Sequence, residues 1–109
     1  MKICDYYSKH RDGVLALNIK SSAKKKTLVK YLPLGTVYCM LPSRYPLLMS
    51  FYKSLPQLLM GNGVLMRHAH NNLSVSREVE KIMKKGGFES GEYQTIWSDY
   101  KHSEMIIQN

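Results

Sequence analysis

The spacing of hydrophobic residues changes once along this chain, and that change limits the folds that it can adopt. Between residues 14 and 41, apolar and polar side chains alternate or β-favouring residues cluster, which is typical of strands. From Leu47 to Leu59, apolar side chains recur at every fourth position, which predicts one face of a helix. A chain that switches period in this way is expected to combine a sheet with helices.

The first part of the chain predicts an antiparallel meander of three strands, at residues 14–20, 27–32 and 36–41. A polar connector at residues 21–26 is placed where a hairpin loop is needed. The sequence Pro33-Leu34-Gly35 is typical of a turn, because proline fixes φ and glycine tolerates positive φ. Neighbouring strands joined by such short connections are expected to pair in antiparallel fashion.

The remaining predicted elements are a strand at 3–7, a helix at 47–59 interrupted near Pro56, a strand at 64–68, a helix at 74–85, and strands at 92–98 and 105–107. The order is roughly β-β-β-α-β-α-β. The fold class predicted from this order is α+β, a small single domain over residues 1–109 in which a mainly antiparallel sheet packs against two helices.

The distribution of charge is strongly uneven. The chain has 16 Lys plus Arg against 8 Asp plus Glu, a formal net charge of +8. From Gly13 to Arg77 there is no acidic residue, although nine cations lie in that stretch. Such an imbalance favours an anionic partner.

Lysines concentrate on the predicted meander, and tyrosines accompany them. Phosphate groups attract clustered cations, and tyrosine rings on a sheet can stack on unpaired bases. The residues predicted to bind nucleic acid or another anionic partner are Lys20, Lys24, Lys25, Lys26, Lys30 and Arg44, with Tyr31 and Tyr38 as stacking residues.

Other kinds of site receive little support from the sequence. Cys4 and Cys39 are expected to be reduced thiols, and the pair His68 and His70 has no third metal ligand close in sequence. We therefore expect no metal, no cofactor and no catalytic residue. No apolar run approaches the roughly 18 residues of a membrane span, and no signal peptide is evident, so the predicted location is cytoplasmic.

One segment resembles a known enzyme family. In the run from Arg77 to Trp97, a helix is followed by Gly86-Gly87-Phe88 and a strand, and Lys101-His102-Ser103-Glu104 comes next. This order resembles HicA-type toxin ribonucleases, in which a strand presents a histidine after such a helix. The glycine that precedes the serine in that family is missing here, and the chain ends before a second helix.

The sequence thus predicts a small basic non-catalytic protein that binds RNA or single-stranded DNA through its lysine-rich meander. Two alternatives stay open. One is an inhibitor or adaptor, of the kind that phages and mobile elements encode, which binds a host nucleic-acid-processing enzyme. The other is a small toxin-like ribonuclease that uses His102.

Overall fold

The computed structural model describes residues 2–15, 18–22 and 25–108. Four helices and five strands occur in these ranges: α1 (Lys2–Leu15), β1 (Asn18–Ser22), β2 (Lys25–Val29), β3 (Thr36–Met40), α2 (Pro46–Leu59), β4 (Gly63–Arg67), α3 (Leu73–Lys85), β5 (Tyr93–Ile96) and α4 (Tyr100–Gln108). A short 3-10 turn, His70–Asn72, precedes α3.

The central feature is a three-stranded parallel sheet in the order β3-β4-β5. Thr36 pairs with Gly63 and Val64 pairs with Tyr93, and both pairings run in parallel to the ends of the strands. Each connection between these strands contains a helix, which is the usual way to return the chain for parallel pairing. Residues 36–96 therefore form two consecutive β-α-β units.

One face of the parallel sheet carries the hydrophobic core. It is covered by α2 and α3, which have clear apolar stripes. The core residues are Leu41, Val64, Met66, Val79, Met83 and Tyr93, with Cys39, Met49, Phe51, Leu58, Val75 and Phe88 packed against them. Since Cys39 and Leu41 lie on this face, Tyr38 and Met40 lie on the opposite one.

The opposite face of the sheet carries both apolar and polar side chains. Leu65 and Arg67 alternate with the core residues of β4 and so lie on this side. Helix α4 follows β5 and contacts this face, because the Ser103 hydroxyl on α4 lies 2.9 Å from the Tyr38 hydroxyl on β3. One face of the sheet therefore carries the apolar core and the other carries Arg67 and the hydroxyl contacts with α4. The candidate site lies on the second face.

The predicted antiparallel fold is wrong. Strands β1 and β2 do pair in antiparallel fashion, as Lys20 with Thr27 and Ser22 with Lys25. However, β3 does not join them, because it pairs in parallel with β4 across the α2 crossover. Apolar alternation identifies a strand without giving its direction, so the meander connected the predicted strands wrongly. The strand predicted at 14–20 also begins within α1, and the connector predicted at 21–26 contains parts of β1 and β2.

Three further expectations are wrong in detail. Residues 3–7 and 105–107, predicted as strands, lie in helices α1 and α4. The chain thus has four helices in its described ranges rather than two. Pro56 was expected to cause either a kink or two short helices meeting near Ser54, and of these the two helices are wrong, because α2 continues past Pro56 to Leu59.

None of the helices in the described ranges is long and apolar enough to cross a membrane.

Candidate functional site

The carboxyl ends of the three parallel strands form the candidate site. Open α/β sheets bind ligands in the crevice beyond the carboxyl ends of their strands. Here that edge is formed by the segments after Met40, Arg67 and Ile96. The segments are tied together, since the Leu41 N–H donates to the Arg67 carbonyl at 2.8 Å and the Asn72 side-chain amide donates to the Ser43 carbonyl at 2.9 Å.

Arg67, the last residue of β4, is the most unusual side chain at this edge. It is only 5% exposed. Its Nε donates to the Ser98 carbonyl at 2.9 Å, and its guanidinium carbon lies 4.8 Å from the centre of the Tyr100 ring. A buried arginine normally has an anionic partner.

The salt bridges found in the described ranges do not involve Arg67. They join Lys81 to Glu78 at 2.7 Å, Lys84 to Glu80 at 3.2 Å and His102 to Asp99 at 2.7 Å. A guanidinium has five N–H donors arranged as a rigid fork, and among the described residues only the Arg67 Nε–H has a hydrogen bond, to the Ser98 carbonyl. Arg67 is therefore a candidate to bind a phosphate or carboxylate at the end of the central strand.

Three hydroxyl groups hold the segment after β5 against β3. The Tyr38 Oη lies 3.3 Å from the Ser98 Oγ and 2.9 Å from the Ser103 Oγ. The two serine oxygens lie 2.9 Å apart, and the Ser103 hydroxyl donates to the Asp99 carbonyl at 2.8 Å. These bonds fix the start of α4 relative to the sheet.

Asp99 caps the amino end of α4. Its Oδ1 accepts the backbone N–H of His102 at 2.8 Å and lies 2.7 Å from the His102 Nδ1. These two contacts, the backbone N–H first, hold the pKa of Asp99 below its ordinary value. A carboxylate at this position also suits the positive end of the helix dipole.

An apolar depression lies beside this cap. Its volume is about 440 Å³, and its lining includes Trp97 and Ile106. Trp97 is 54% exposed, and its ring contacts that of His70 edge-on with 6.4 Å between ring centres. The candidate site therefore combines a buried cation with an accessible aromatic ring one residue beyond the end of β5, at the same sheet edge.

His68, one residue past β4, is buried, with 4% of its surface exposed. Neither of its ring nitrogens has a hydrogen-bond partner in the part of the chain that the structure describes. Burial lowers the pKa of His68, so its ring is neutral near pH 7. His70 is exposed, and the described residues contain no group of three His, Cys, Asp or Glu side chains that could hold a metal ion.

The residues predicted to bind an anionic partner lie on several elements. Lys20, Lys25 and Lys26 lie in the β1–β2 hairpin, and Lys24 lies outside the described residues. Lys30 and Tyr31 are exposed just after β2, whereas Arg44 is exposed in the loop before α2. These positions belong to different elements.

Tyr38 is half-buried, and its hydroxyl lies 2.9 Å from that of Ser103, so its ring is less accessible for stacking than the predicted role requires. Sequence reasoning counted Arg67 among the cations but did not select it, and it also missed Ser98 and Ser103. The available signal was the position of Arg67 at the end of a predicted strand. That signal has meaning only once the sheet is known to be parallel.

Both cysteines are free, in agreement with the reduced thiols expected from the sequence. Cys39 packs against the core, and burial raises the pKa of its thiol despite the charge of Lys53. A thiol with a raised pKa is a poor nucleophile at neutral pH.

Comparison with known proteins gives a consistent result. The model of the "Aldehyde dehydrogenase family" matches residues 1–109. Succinate semialdehyde dehydrogenase [NAD(P)+] Sad of Escherichia coli is 28% identical over 107 residues, covering 98% of this chain and 23% of its own length. A probable succinate-semialdehyde dehydrogenase [NADP(+)] of Synechocystis is 27% identical over 94 residues, 86% of this chain and 21% of its own.

Solved structures agree. A structure concerned with cofactor and substrate selection by Gox0499 matches with a TM-score of 0.93 and 26% identity, over 99% of this chain and 24% of that one. Succinic semialdehyde dehydrogenase from Streptococcus pyogenes, in complex with NADP+, matches with a TM-score of 0.92 at 19% identity, over 98% of this chain and 24% of that one. The chain thus spans less than a quarter of the length of these relatives.

These findings contradict the functions predicted from charge. The matching family consists of dehydrogenases, so a nucleic-acid-binding protein, an inhibitor or adaptor, and a toxin-like ribonuclease are all wrong. The relatives are named for small-molecule substrates and nicotinamide coenzymes, so the predicted nucleic-acid partner is wrong too. The physical reason is that the excess of cations is spread over several elements, with Arg67 buried and Arg77 on α3.

Proposed function

Because the chain belongs to the aldehyde dehydrogenase family, we propose that it supplies part of the coenzyme site of an NAD(P)-dependent semialdehyde dehydrogenase. The observation that carries this proposal is Arg67, a buried cation at the carboxyl end of the central parallel strand. Its position is the one at which parallel α/β sheets bind nucleotides. The relatives named for NAD(P)+ and NADP(+) support the same class of ligand.

The residues at this edge fit a dinucleotide. The guanidinium of Arg67 has donors for a phosphate, and arginine binds phosphate in bidentate fashion more readily than lysine does. Trp97 offers an accessible aromatic surface next to Ser98, the residue that accepts the Arg67 Nε–H. Arg67 would hold a phosphate group, and Trp97 would contact a flat ring. A bound nicotinamide coenzyme supplies the hydride acceptor for aldehyde oxidation.

The described residues are suited to binding rather than to nucleophilic attack. Hydride transfer from an aldehyde is helped by a nucleophile that first adds to the carbonyl carbon. Cys39 does not suit that role, since its thiol is packed against the core and has a raised pKa. Cys4 lies on α1 and lines an apolar cavity with Leu55 and Phe88, none of which belongs to the segments that form the sheet edge.

The substrate class follows from the relatives alone. Those named above act on succinate semialdehyde, a short aldehyde that carries a carboxylate. We propose a semialdehyde of this kind as the substrate of the whole enzyme. The role proposed for the present segment is to bind the coenzyme.

The single tryptophan of the chain provides a direct test. Titration of the 109-residue chain with NADP+ is expected to quench Trp97 fluorescence in a saturable way. Arg67→Met keeps the length of the side chain and removes its charge, and it should weaken binding at least about tenfold, since a hydrogen bond to a charged group contributes roughly 1.5–3 kcal/mol.

Arg77→Met is the matched control, because Arg77 is exposed on α3. It should leave the dissociation constant unchanged. Titration with NAD+ shows whether the 2′-phosphate adds affinity, as an arginine at the site predicts. The proposal is wrong if neither coenzyme gives saturable quenching.

A further inference from the structure

The hydroxyl cluster of Tyr38, Ser98 and Ser103 joins three separate elements of the structure. Tyr38 lies in the middle of β3, Ser98 lies two residues after β5, and Ser103 lies on α4. The two serines are 9% and 2% exposed. Hydroxyl groups are buried at little cost only when their hydrogen bonds are made, so this arrangement requires all three partners.

Counting protons shows that Ser103 is the centre of the cluster. Its own hydroxyl proton is donated to the Asp99 carbonyl at 2.8 Å. Its oxygen can then accept two hydrogen bonds. Tyr38 and Ser98 each have one hydroxyl proton, and each oxygen lies 2.9 Å from the Ser103 oxygen. The longer contact of 3.3 Å, between Tyr38 and Ser98, is left without a proton.

The hydroxyl cluster also restrains Ser98, whose backbone carbonyl binds Arg67. The side chain of Ser98 is bonded to Ser103, while its backbone carbonyl accepts the Nε–H of Arg67 at 2.9 Å. The start of α4 is also involved, because Tyr100 places its ring against the guanidinium. Both contacts of Arg67 therefore come from the segment that the cluster fixes to β3.

We propose that Tyr38 is a positioning residue for Arg67, acting through Ser103 and Ser98. Hydrogen bonds are directional, so the cluster defines where the Ser98 carbonyl points as well as how closely α4 approaches the sheet. That carbonyl in turn sets the direction in which the remaining N–H groups of Arg67 are presented. The part of this inference that concerns the coenzyme rests on the proposed function, and the part that concerns the arginine does not.

The first test measures the arginine without any ligand. In Tyr38→Phe the ring is kept and one hydroxyl is removed. By NMR, the Nε–H of Arg67 should exchange with solvent about fivefold faster than in the wild type, which is the effect expected for the loss of one typical hydrogen bond. Tyr52→Phe is the matched control, since Tyr52 is 56% exposed on α2, and it should leave the exchange rate unchanged. Equal exchange rates in Tyr38→Phe and wild type would overturn the inference.

The second test measures binding. Tyr38→Phe should weaken NADP+ binding about fivefold in the Trp97 titration, whereas Tyr52→Phe should not. Ser103→Ala removes the centre of the cluster and should weaken binding more than Tyr38→Phe does. Ser103→Thr, which keeps a hydroxyl, should retain most of the wild-type affinity for NADP+. Circular dichroism spectra establish that each variant is folded.

The outcomes separate the two proposals. If the wild type binds neither coenzyme while Tyr38→Phe speeds exchange at Arg67, the proposed function fails and the positioning of Arg67 by Tyr38 stands. If the wild type binds NADP+ and Tyr38→Phe binds it equally tightly, the positioning role fails and the proposed function stands.

Discussion

The two sides of the parallel sheet differ in how fully their buried polar groups are hydrogen-bonded. On the face covered by α2 and α3, the buried hydroxyl of Ser54 has no hydrogen-bond partner among the described residues, and neither has the buried ring of His68 just after β4. On the opposite face, the hydroxyls of Tyr38 and Ser98 are both bonded to that of Ser103 on α4. The first face is a packed core that tolerates a few unpaired polar atoms, and the second is an organised polar surface.

This difference indicates where the chain is shaped by function. An unpaired buried polar atom costs stability, whereas a fully bonded network costs little and fixes geometry. The bonded network lies next to Arg67, at the edge where a coenzyme is proposed to bind. The core face is built mainly from apolar side chains, with Glu80 and Thr95 as a bonded polar pair between α3 and β5, whereas the other face places the Tyr38, Ser98 and Ser103 hydroxyls at defined positions.

The largest effect should come from the core. Met66 is fully buried on β4, and Met66→Ala should lower the free energy of unfolding by about 3 kcal/mol, because transfer free energy is lost and a cavity remains. Met40→Ala is the matched control on the neighbouring strand. Met40 is 50% exposed and lies on the other face, so Met40→Ala should lower the free energy of unfolding by less than about 1 kcal/mol. Urea denaturation measures both, and equal losses would contradict the assignment of the two faces.

His68 should give the next largest effect. Replacement by leucine, of similar volume, removes two ring nitrogens that have no partner in the described ranges. His68→Leu is therefore expected to raise the free energy of unfolding at pH 7 by about 1 kcal/mol. The unfolding midpoint in urea provides the measurement.

The pH dependence of His68 has a definite sign. Burial lowers its pKa in the folded state below the ordinary value of 6.5, so the unfolded chain binds the proton more readily. Wild-type stability should be complete above pH 6.5 and should fall as the pH drops below it. His68→Leu should lack this part of the fall, while His10→Gln on α1, where His10 is exposed, should retain it. Identical pH profiles for wild type and His68→Leu would contradict the effect of burial.

Much of the local structure could be predicted from the sequence. Apolar spacing and charge order identified α3 to within a residue, since lysines follow glutamates along it as the helix dipole favours. The strand predicted at 64–68 overlaps β4 at all but one position. Local pattern was misleading where short apolar runs carry no clear period. This explains why residues 3–7 and 105–107 were assigned to strands.

The direction of pairing was the decisive error. From residue 36 onward, the predicted elements alternated strand, helix, strand, helix and strand, an order typical of parallel sheets. The prediction extended the antiparallel pairing of the β1–β2 hairpin to β3, because short connections favour hairpins and the Pro33-Leu34-Gly35 segment resembles a turn. With the direction wrong, no common edge could be assigned to the strand ends.

The candidate site could not be predicted for the same reason. Arg67 and Ser98 are separated by thirty residues of sequence, and only parallel pairing of β4 with β5 places them side by side. Arg67 is bonded to the backbone carbonyl of Ser98. Because every residue has a backbone carbonyl, the amino-acid type at position 98 does not identify this contact. The charge asymmetry, in contrast, is obvious in the sequence and does not mark the site.

The smallest expected effect concerns a polar group on the core face that does have partners. Glu80 on α3 accepts a hydrogen bond from the Thr95 hydroxyl on β5 and forms an ion pair with Lys84 at 3.2 Å. The bond from Thr95, followed by the contact with Lys84, lowers the pKa of Glu80 below its ordinary value of 4.5. The folded state therefore favours the charged carboxylate, and this stability is present above pH 4.5 and lost as the pH falls through the folded pKa.

Glu80→Gln should accordingly lower the free energy of unfolding at pH 7 by about 1 kcal/mol or less, since the side chain is partly exposed to solvent. The deficit of the variant, measured by urea denaturation, should be smaller at pH 3 than at pH 7. Glu104→Gln, at an exposed position on α4, is the control and should match the wild type at both values. A deficit of Glu80→Gln that is as large at pH 3 as at pH 7 would mean that packing, and not the charge, is what Glu80 contributes. The core face would then lack the one bonded polar link that we assign to it between α3 and β5.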